Sequence, residues 1–191
     1  MLREQLLQKA ELTEKLNSRG MLSQERYVLN NGVKMTSSEP LTEEQYLFLR
    51  NMSNTIKCLP KECFYNAQMI TFTEFSELDT KRVQYYEGYV WTGRGMIPIL
   101  HAWVTIDGKI ADVTLSTDPE SAQRFFDGEP PQEDLKDRVL GVIPEGWEYL
   151  GVPMKSEYIV STMLKNMEAR SLIDNWKDGW PLLTNSESVA T

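Results

Sequence analysis

With 191 residues, of which 41% are hydrophobic and 25% charged, the chain has the make-up of one folded domain and can bury a core without disulfide or metal staples. A formal net charge of −8 and a pI near 4.8 work against binding a polyanion, so neither nucleic acid nor a membrane surface is an expected partner. Two cysteines, Cys58 and Cys63, are too few and too close for a disulfide scaffold, no apolar run approaches the roughly 18–20 residues of a membrane span, and charges stand where a signal peptide would be apolar, so a cytoplasmic protein with reduced thiols is expected.

Residues 2–17 carry Leu2, Leu6, Leu7, Ala10 and Leu16 near helical spacing, which predicts an amphipathic helix ended by Gly20. Residues 23–40 are weakly patterned around the turn signal Asn30-Asn31-Gly32, which suits a loop or a short hairpin. Thr42 with Gln45 three residues on makes a capping box, opening a second helix through about Met52 with Tyr46, Phe48 and Leu49 on its apolar side. Pro60 then precedes a third helix over residues 63–72, with Cys63 in the first turn. Unpaired N–H groups and the helix dipole favour negative charge there.

Residues 83–91 have the β-branched and aromatic content of a strand, with Tyr85, Glu87 and Tyr89 on one face; Val83, Tyr86 and Val90 do not fit strict alternation. Gly88 predicts a bulge or a close backbone approach. After the turn Thr92-Gly93-Arg94-Gly95, strands over residues 97–106 and 110–115 complete an antiparallel meander. Residues 116–141, with Asp118-Pro119 and Glu129-Pro130-Pro131, read as a surface segment containing one helical turn at residues 121–126. A short strand over residues 147–150, ended by Gly151-Val152-Pro153, precedes a last helix from Ser156 to about Asn175 whose apolar stripe is Ile159, Met163, Met167 and Ile173. Beyond Trp180-Pro181 the polar tail is expected to fray. The expected organisation is one domain spanning residues 1–191: a helical N-terminal segment over residues 1–55, a catalytic core over 56–115, a surface loop and short strand over 116–155, and a C-terminal helix over 156–180.

Chemistry enters at the meander. A two-residue Asp107-Gly108 turn pairs Ile106 with Lys109 and Trp103 with Asp112, leaving His101, the one histidine of the chain, and Asp112 as diagonal neighbours on one face. A carboxylate so placed can orient an imidazole. A free thiol, with a pKa of about 8.5, is only a few per cent ionised at neutral pH, so a nucleophilic cysteine needs a base or an imidazolium beside it. The same ring can return the proton to a leaving amine. Cys63, His101 and Asp112 are therefore the candidate nucleophile, base and orienter. The plainer reading makes Cys63 a small buried hydrophobe, His101 structural and Asp112 a local cap or ion-pair partner. Cys58, lacking the helix-start context, is read as structural. One histidine and two nearby cysteines make no four-ligand set, so neither a metal nor another cofactor is expected.

Three fragments, Cys63-Phe64-Tyr65-Asn66-Ala67, His101-Ala102-Trp103-Val104 and Asp112-Val113-Thr114, resemble in order and context the core of the transglutaminase-like superfamily of papain-like cysteine enzymes, over residues 56–115. The resemblance implies an α+β fold, papain/transglutaminase-like, with a nucleophile helix packed on a small antiparallel sheet. It implies Cys63 as nucleophile, His101 as base and acid, and Asp112 as orienter of His101. The implied activity is thiol-dependent amide hydrolysis or acyl transfer, of peptidase, amidase or deamidase type, through a thioester. Val113 stands where that superfamily often has proline, and Glu62 and Phe64 flank Cys63 where a tryptophan is usual. The Cys63 N–H is the expected first oxyanion donor, with Asn54 and Gln45 as candidates for the second. Tyr85, Tyr89, Trp91 and Trp103 are the expected substrate walls, and the substrate a peptide, protein or small amide. The alternative is a non-enzymatic peptide-binding protein or host-pathway antagonist on a degenerate version of this fold.

Overall fold

Helices and one antiparallel sheet share the computed structural model, which describes residues 1–16, 21–59, 61–78, 80–93, 97–118, 120 and 135–184. In chain order the elements are α1 (Leu2–Leu16), α2 (Gln24–Asn31), β1 (Val33–Lys34), α3 (Glu43–Ile56), α4 (Cys63–Thr73), a π-helical turn (Glu74–Leu78), β2 (Val83–Trp91), β3 (Ile99–Ile106), β4 (Lys109–Ser116), β5 (Arg138–Leu140), β6 (Glu148–Met154), α5 (Ser156–Asn166), a 3-10 turn (Trp176–Asp178) and α6 (Pro181–Thr184). The strands form one sheet in the order β1-β6-β2-β3-β4-β5. Among the described residues no helix is long and apolar enough to cross a membrane. Gly20, Pro60, Arg94-Gly95, the turn at residues 121–126, Pro119, Glu129-Pro130-Pro131 and tail residues 185–191 fall outside the described residues.

Both faces of the sheet are covered, which is why β2 departs from simple alternation. On one face Tyr85 and Tyr89 join Ala102, Val104, Ala111, Val113 and Val152 under α4, whose Ala67 and Ile70 fill the same core. On the other, Trp103, Val90, Ile110, Val139 and Tyr149 pack beneath Met35, Ile143 and Trp147. The hairpin turn has Asp107 at φ 50° and Gly108 at φ 83°, the left-handed pair a two-residue connection needs. Its register is Ile106 opposite Lys109.

Gly88 is not a bulge: it faces Gly151 in an unbroken ladder, and a Cβ at Gly88 would strike the carbonyl oxygen of Leu150. Gly151, on the same face, is bare for a different reason: a Cβ there would stand 2.5 Å from Cη2 of Trp103. The indole lies across the bare backbone. Trp103 is hemmed in by Tyr86, His101 and Tyr149 and cannot swing aside. Gly151→Ala is therefore expected to cost about 1–3 kcal/mol, the usual penalty of overpacking, read as a lower urea midpoint together with altered tryptophan fluorescence.

Several sequence expectations are corrected. Residues 24–31 form α2 rather than a loop or hairpin: Ser23 caps it by accepting from the Arg26 N–H at 3.0 Å, and Val28 is anchored in the core. The second helix runs past Met52 to Ile56, and both halves of the Thr42/Gln45 capping box are present. The strand expected to end at Leu150 continues to Met154, pairing with β2 from Trp91↔Glu148 to Tyr85↔Met154. Pro153 is tolerated because β1 pairs only with Leu150 and Gly151, leaving an open edge beyond them. Far from a short strand appended to a loop, β6 pairs along its whole length with β2 and lies inside the strand order.

The last helix stops at Asn166, with Met167 left-handed at φ 52° and largely in solvent. Ile173 lies in the core, but a carboxylate rather than a helix holds its backbone. Glu87, wholly enclosed, accepts from the N–H groups of Leu172 at 2.9 Å and Ile173 at 3.0 Å, from the Ser171 hydroxyl, and from the Tyr85 phenol at 2.8 Å. Those bonds claim the backbone that a longer helix would have used. Burial raises the Glu87 carboxyl above its ordinary value, and the four donors oppose that rise.

Candidate active site

Three elements converge on one imidazole. His101 sits near the start of β3, on the face opposite the α4 core, and its Nε2 lies 2.7 Å from Oδ2 of Asp112 on β4. The β3–β4 ladder has only three rungs and ends at Val104↔Ala111, so both residues lie beyond its last rung. The first turn of α4 meets the two strands at this opening. Asn66, one turn after Cys63, donates to the Thr114 hydroxyl at 3.0 Å and to the Leu59 carbonyl at 2.7 Å, and accepts from the Leu59 N–H at 2.8 Å. This single side chain ties the segment before Cys63 to the strand that carries Asp112.

Cys63 opens α4, and its sulfur is close enough to the His101 ring to favour a proton there. Nε2 is engaged by Asp112, so Nδ1 is the ring nitrogen left for the thiol. All three are buried, Cys63 least completely, with 7% exposure against 3% for His101 and 0% for Asp112. Glu62, the N-cap, makes no side-chain cap, and the first-turn N–H groups of α4 are not claimed by one.

Asp112 is held on both oxygens. Oδ1 accepts from the backbone N–H groups of Thr114 at 2.9 Å and Leu115 at 3.1 Å; Oδ2 accepts from the Tyr149 phenol at 3.0 Å as well as facing His101. Burial works against the carboxylate charge, but His101 and the two amides outweigh it and hold Asp112 below its ordinary range. Burial likewise opposes charge on the imidazole. The Asp112 carboxylate, and then the Cys63 sulfur, outweigh it and push His101 up to about 10. The arrangement can keep an imidazolium beside a sulfur and shuttle one proton between ring and sulfur.

The other residues singled out from sequence are placed differently. Gln45 is no oxyanion donor: its Oε1 accepts from the Thr42 N–H at 3.0 Å and its Nε2 donates to Asp107 at 2.9 Å, at the hairpin turn six residues along from His101. Asn54 lies on the exposed side of α3, because the buried side of that helix is taken by Leu49, Met52, Ser53 and Ile56. Tyr85 and Tyr89 are core residues with their phenols bound to Glu87 and Glu25, so they wall no groove. Trp103 is also buried; it stacks on His101 at 6.2 Å between centroids and 18° between planes, forming a floor rather than a wall. Trp91 keeps partial exposure.

Cys58 stands apart from the cluster, and burial pushes its thiol up to about 11. Sequence reading passed over Tyr149 and the Asn66 tie. The only signal for Asn66 was its helical spacing from Cys63; Tyr149 stands 37 residues from Asp112 and carried none. Comparisons with protein-family models, with curated proteins and with solved structures find no match to this chain.

Proposed function

We propose that the protein is a cysteine-dependent amide hydrolase or acyl-transfer enzyme, of papain/transglutaminase-like architecture, working on a peptide, protein or small amide in a reducing compartment such as the cytoplasm. The observation that carries this reading is the His101–Asp112 contact of 2.7 Å beside the helix start that carries Cys63. In the first half-reaction the sulfur, its proton held by His101 as an imidazolium, bonds to the amide carbon, and the Cys63 N–H supports the oxyanion. His101 then protonates the amine nitrogen as the C–N bond breaks, leaving a thioester on Cys63. Water, or an acceptor amine, attacks that thioester with His101 taking its proton, and the ring keeps that proton as the C–S bond breaks. Asp112 stays ionised throughout and holds the ring.

Alkylation by iodoacetamide, mapped by mass spectrometry, tests the activation step without a known substrate. Cys63 is expected to react at pH 7 while Cys58, raised to about 11, does not. His101→Gln should slow Cys63 by about 10²-fold, the lower end of general-base effects, and leave Cys58 unaltered. Equal reactivity of the two thiols, or indifference of Cys63 to His101, sinks the proposal. Incubation with cell lysate followed by a search for an acyl adduct on Cys63 would then name the acyl half of the substrate.

A further inference from the structure

We propose that Tyr149 is a positioning residue of this site, fixing the plane of the Asp112 carboxylate and through it the imidazole of His101; the catalytic side of this inference rests on the function proposed above. The contact is not a local accident. Tyr149 comes from β6, which β2 and β3 separate from β4, so its phenol reaches Asp112 across the face of the sheet. The route is open because Gly88 and Gly151 face each other across β2 and β6 and put no side chain on that face.

Geometry explains what the phenol adds. The Thr114 and Leu115 amides both meet Oδ1, so neither donates to Oδ2, the oxygen that faces His101. His101 and Tyr149 are the groups on Oδ2, and His101 is the group to be oriented. Tyr149 therefore supplies the donor that holds Oδ2 independently of the ring. Its own ring is held edge-on by Trp103 at 5.1 Å and 79°, and Trp103 in turn stacks on His101, so one aromatic bracket holds both ends of the pair. A carboxylate only accepts, so the phenol must donate. Burial, and then the Asp112 charge, raise Tyr149 far above its ordinary value and keep that proton in place.

Tyr149→Phe deletes the donor and keeps the ring. The single histidine makes its ring nitrogens unambiguous by nitrogen-15 NMR. The expected result is a folded protein in which iodoacetamide reacts with Cys63 about tenfold more slowly, the loss expected from one hydrogen bond to a charged group. The His101 titration midpoint should also rise, because Asp112 loses a competing donor and binds the ring proton more tightly. A merely structural tyrosine would lower stability and leave the midpoint where it was. Unchanged rate and midpoint, with His101→Gln still slowing Cys63, overturn the role of Tyr149 and spare the proposed function. If His101→Gln has no effect, the function falls, and the midpoint still decides whether Tyr149 holds the pair. Should the phenylalanine variant fail to fold, 3-fluorotyrosine labelling makes the phenol a stronger donor, and the midpoint should fall. No movement there overturns the inference.

Discussion

Asp112→Asn is expected to slow alkylation of Cys63 at pH 7 by about 10²–10⁴-fold, the range general-base assistance spans, with the fold retained. The retained oxygen can still accept the Thr114 and Leu115 amides, and the Tyr149 hydroxyl can turn to accept from the new amide. His101 cannot adapt in the same way. Facing an N–H donor, it must present an unprotonated Nε2 and carry its proton on Nδ1, the side of the sulfur, where it can take nothing from a thiol. Without the carboxylate charge, the largest influence holding the proton on the ring is gone, and burial shifts it toward the neutral form.

A pH signature follows, with a definite sign. His101 is raised from 6.5 to about 10 in the folded protein, so it binds more protons than the unfolded chain between those values. Its contribution to stability is fully present below about pH 6.5 and is lost as pH rises through about 10. The stability advantage of the wild type over Asp112→Asn, measured by urea unfolding at several pH values, should shrink across that window. Parallel curves would show that the pair carries no such linkage.

Glu87→Ala is expected to be the most destabilising single change on the helical face, costing about 4 kcal/mol or more if each of four orphaned buried donors contributes roughly 1–3 kcal/mol. For a chain of this size, that lowers the melting temperature by about 8–16 °C. Glutamine does not rescue the site. Each carboxylate oxygen of Glu87 accepts one backbone N–H, Leu172 on Oε2 and Ile173 on Oε1, so an amide nitrogen meets a donor that cannot turn away in either orientation. Circular dichroism melts of both variants check this. A melting temperature for the alanine variant within about 3 °C of wild type would mean that water replaces the carboxylate and that it does not organise residues 171–173.

Much of the site was legible because its determinants are local. A left-handed Asp107-Gly108 turn sets a register by itself, and that register puts His101 and Asp112 on one face before any other element is considered. Cys63 at a helix start follows from the residues around it, and the Thr42/Gln45 capping box is satisfied within four residues. Where pattern reading went astray, distant partners had decided the outcome. The stripe through Met163, Met167 and Ile173 looks helical, yet Glu87 recruits the backbone beyond residue 170 and leaves Met167 in water. Gln45 and Asn54 looked able to donate, but their hydrogen-bond partners or their exposure were set by packing that spacing does not encode.

Sequence alone therefore determined the antiparallel hairpin, the helix that begins at Cys63 and the three residue types of the candidate triad, since each rests on neighbours within a few positions. Only the tertiary structure decided that β6 lies inside the sheet, that Gly88 and Gly151 clear its face, and that Tyr149 and Asn66 hold Asp112 and its strand. The physical reason is reach: turn and cap preferences act over a few residues, whereas enclosing a charged carboxylate requires donors on every side, and a short stretch of chain cannot supply them.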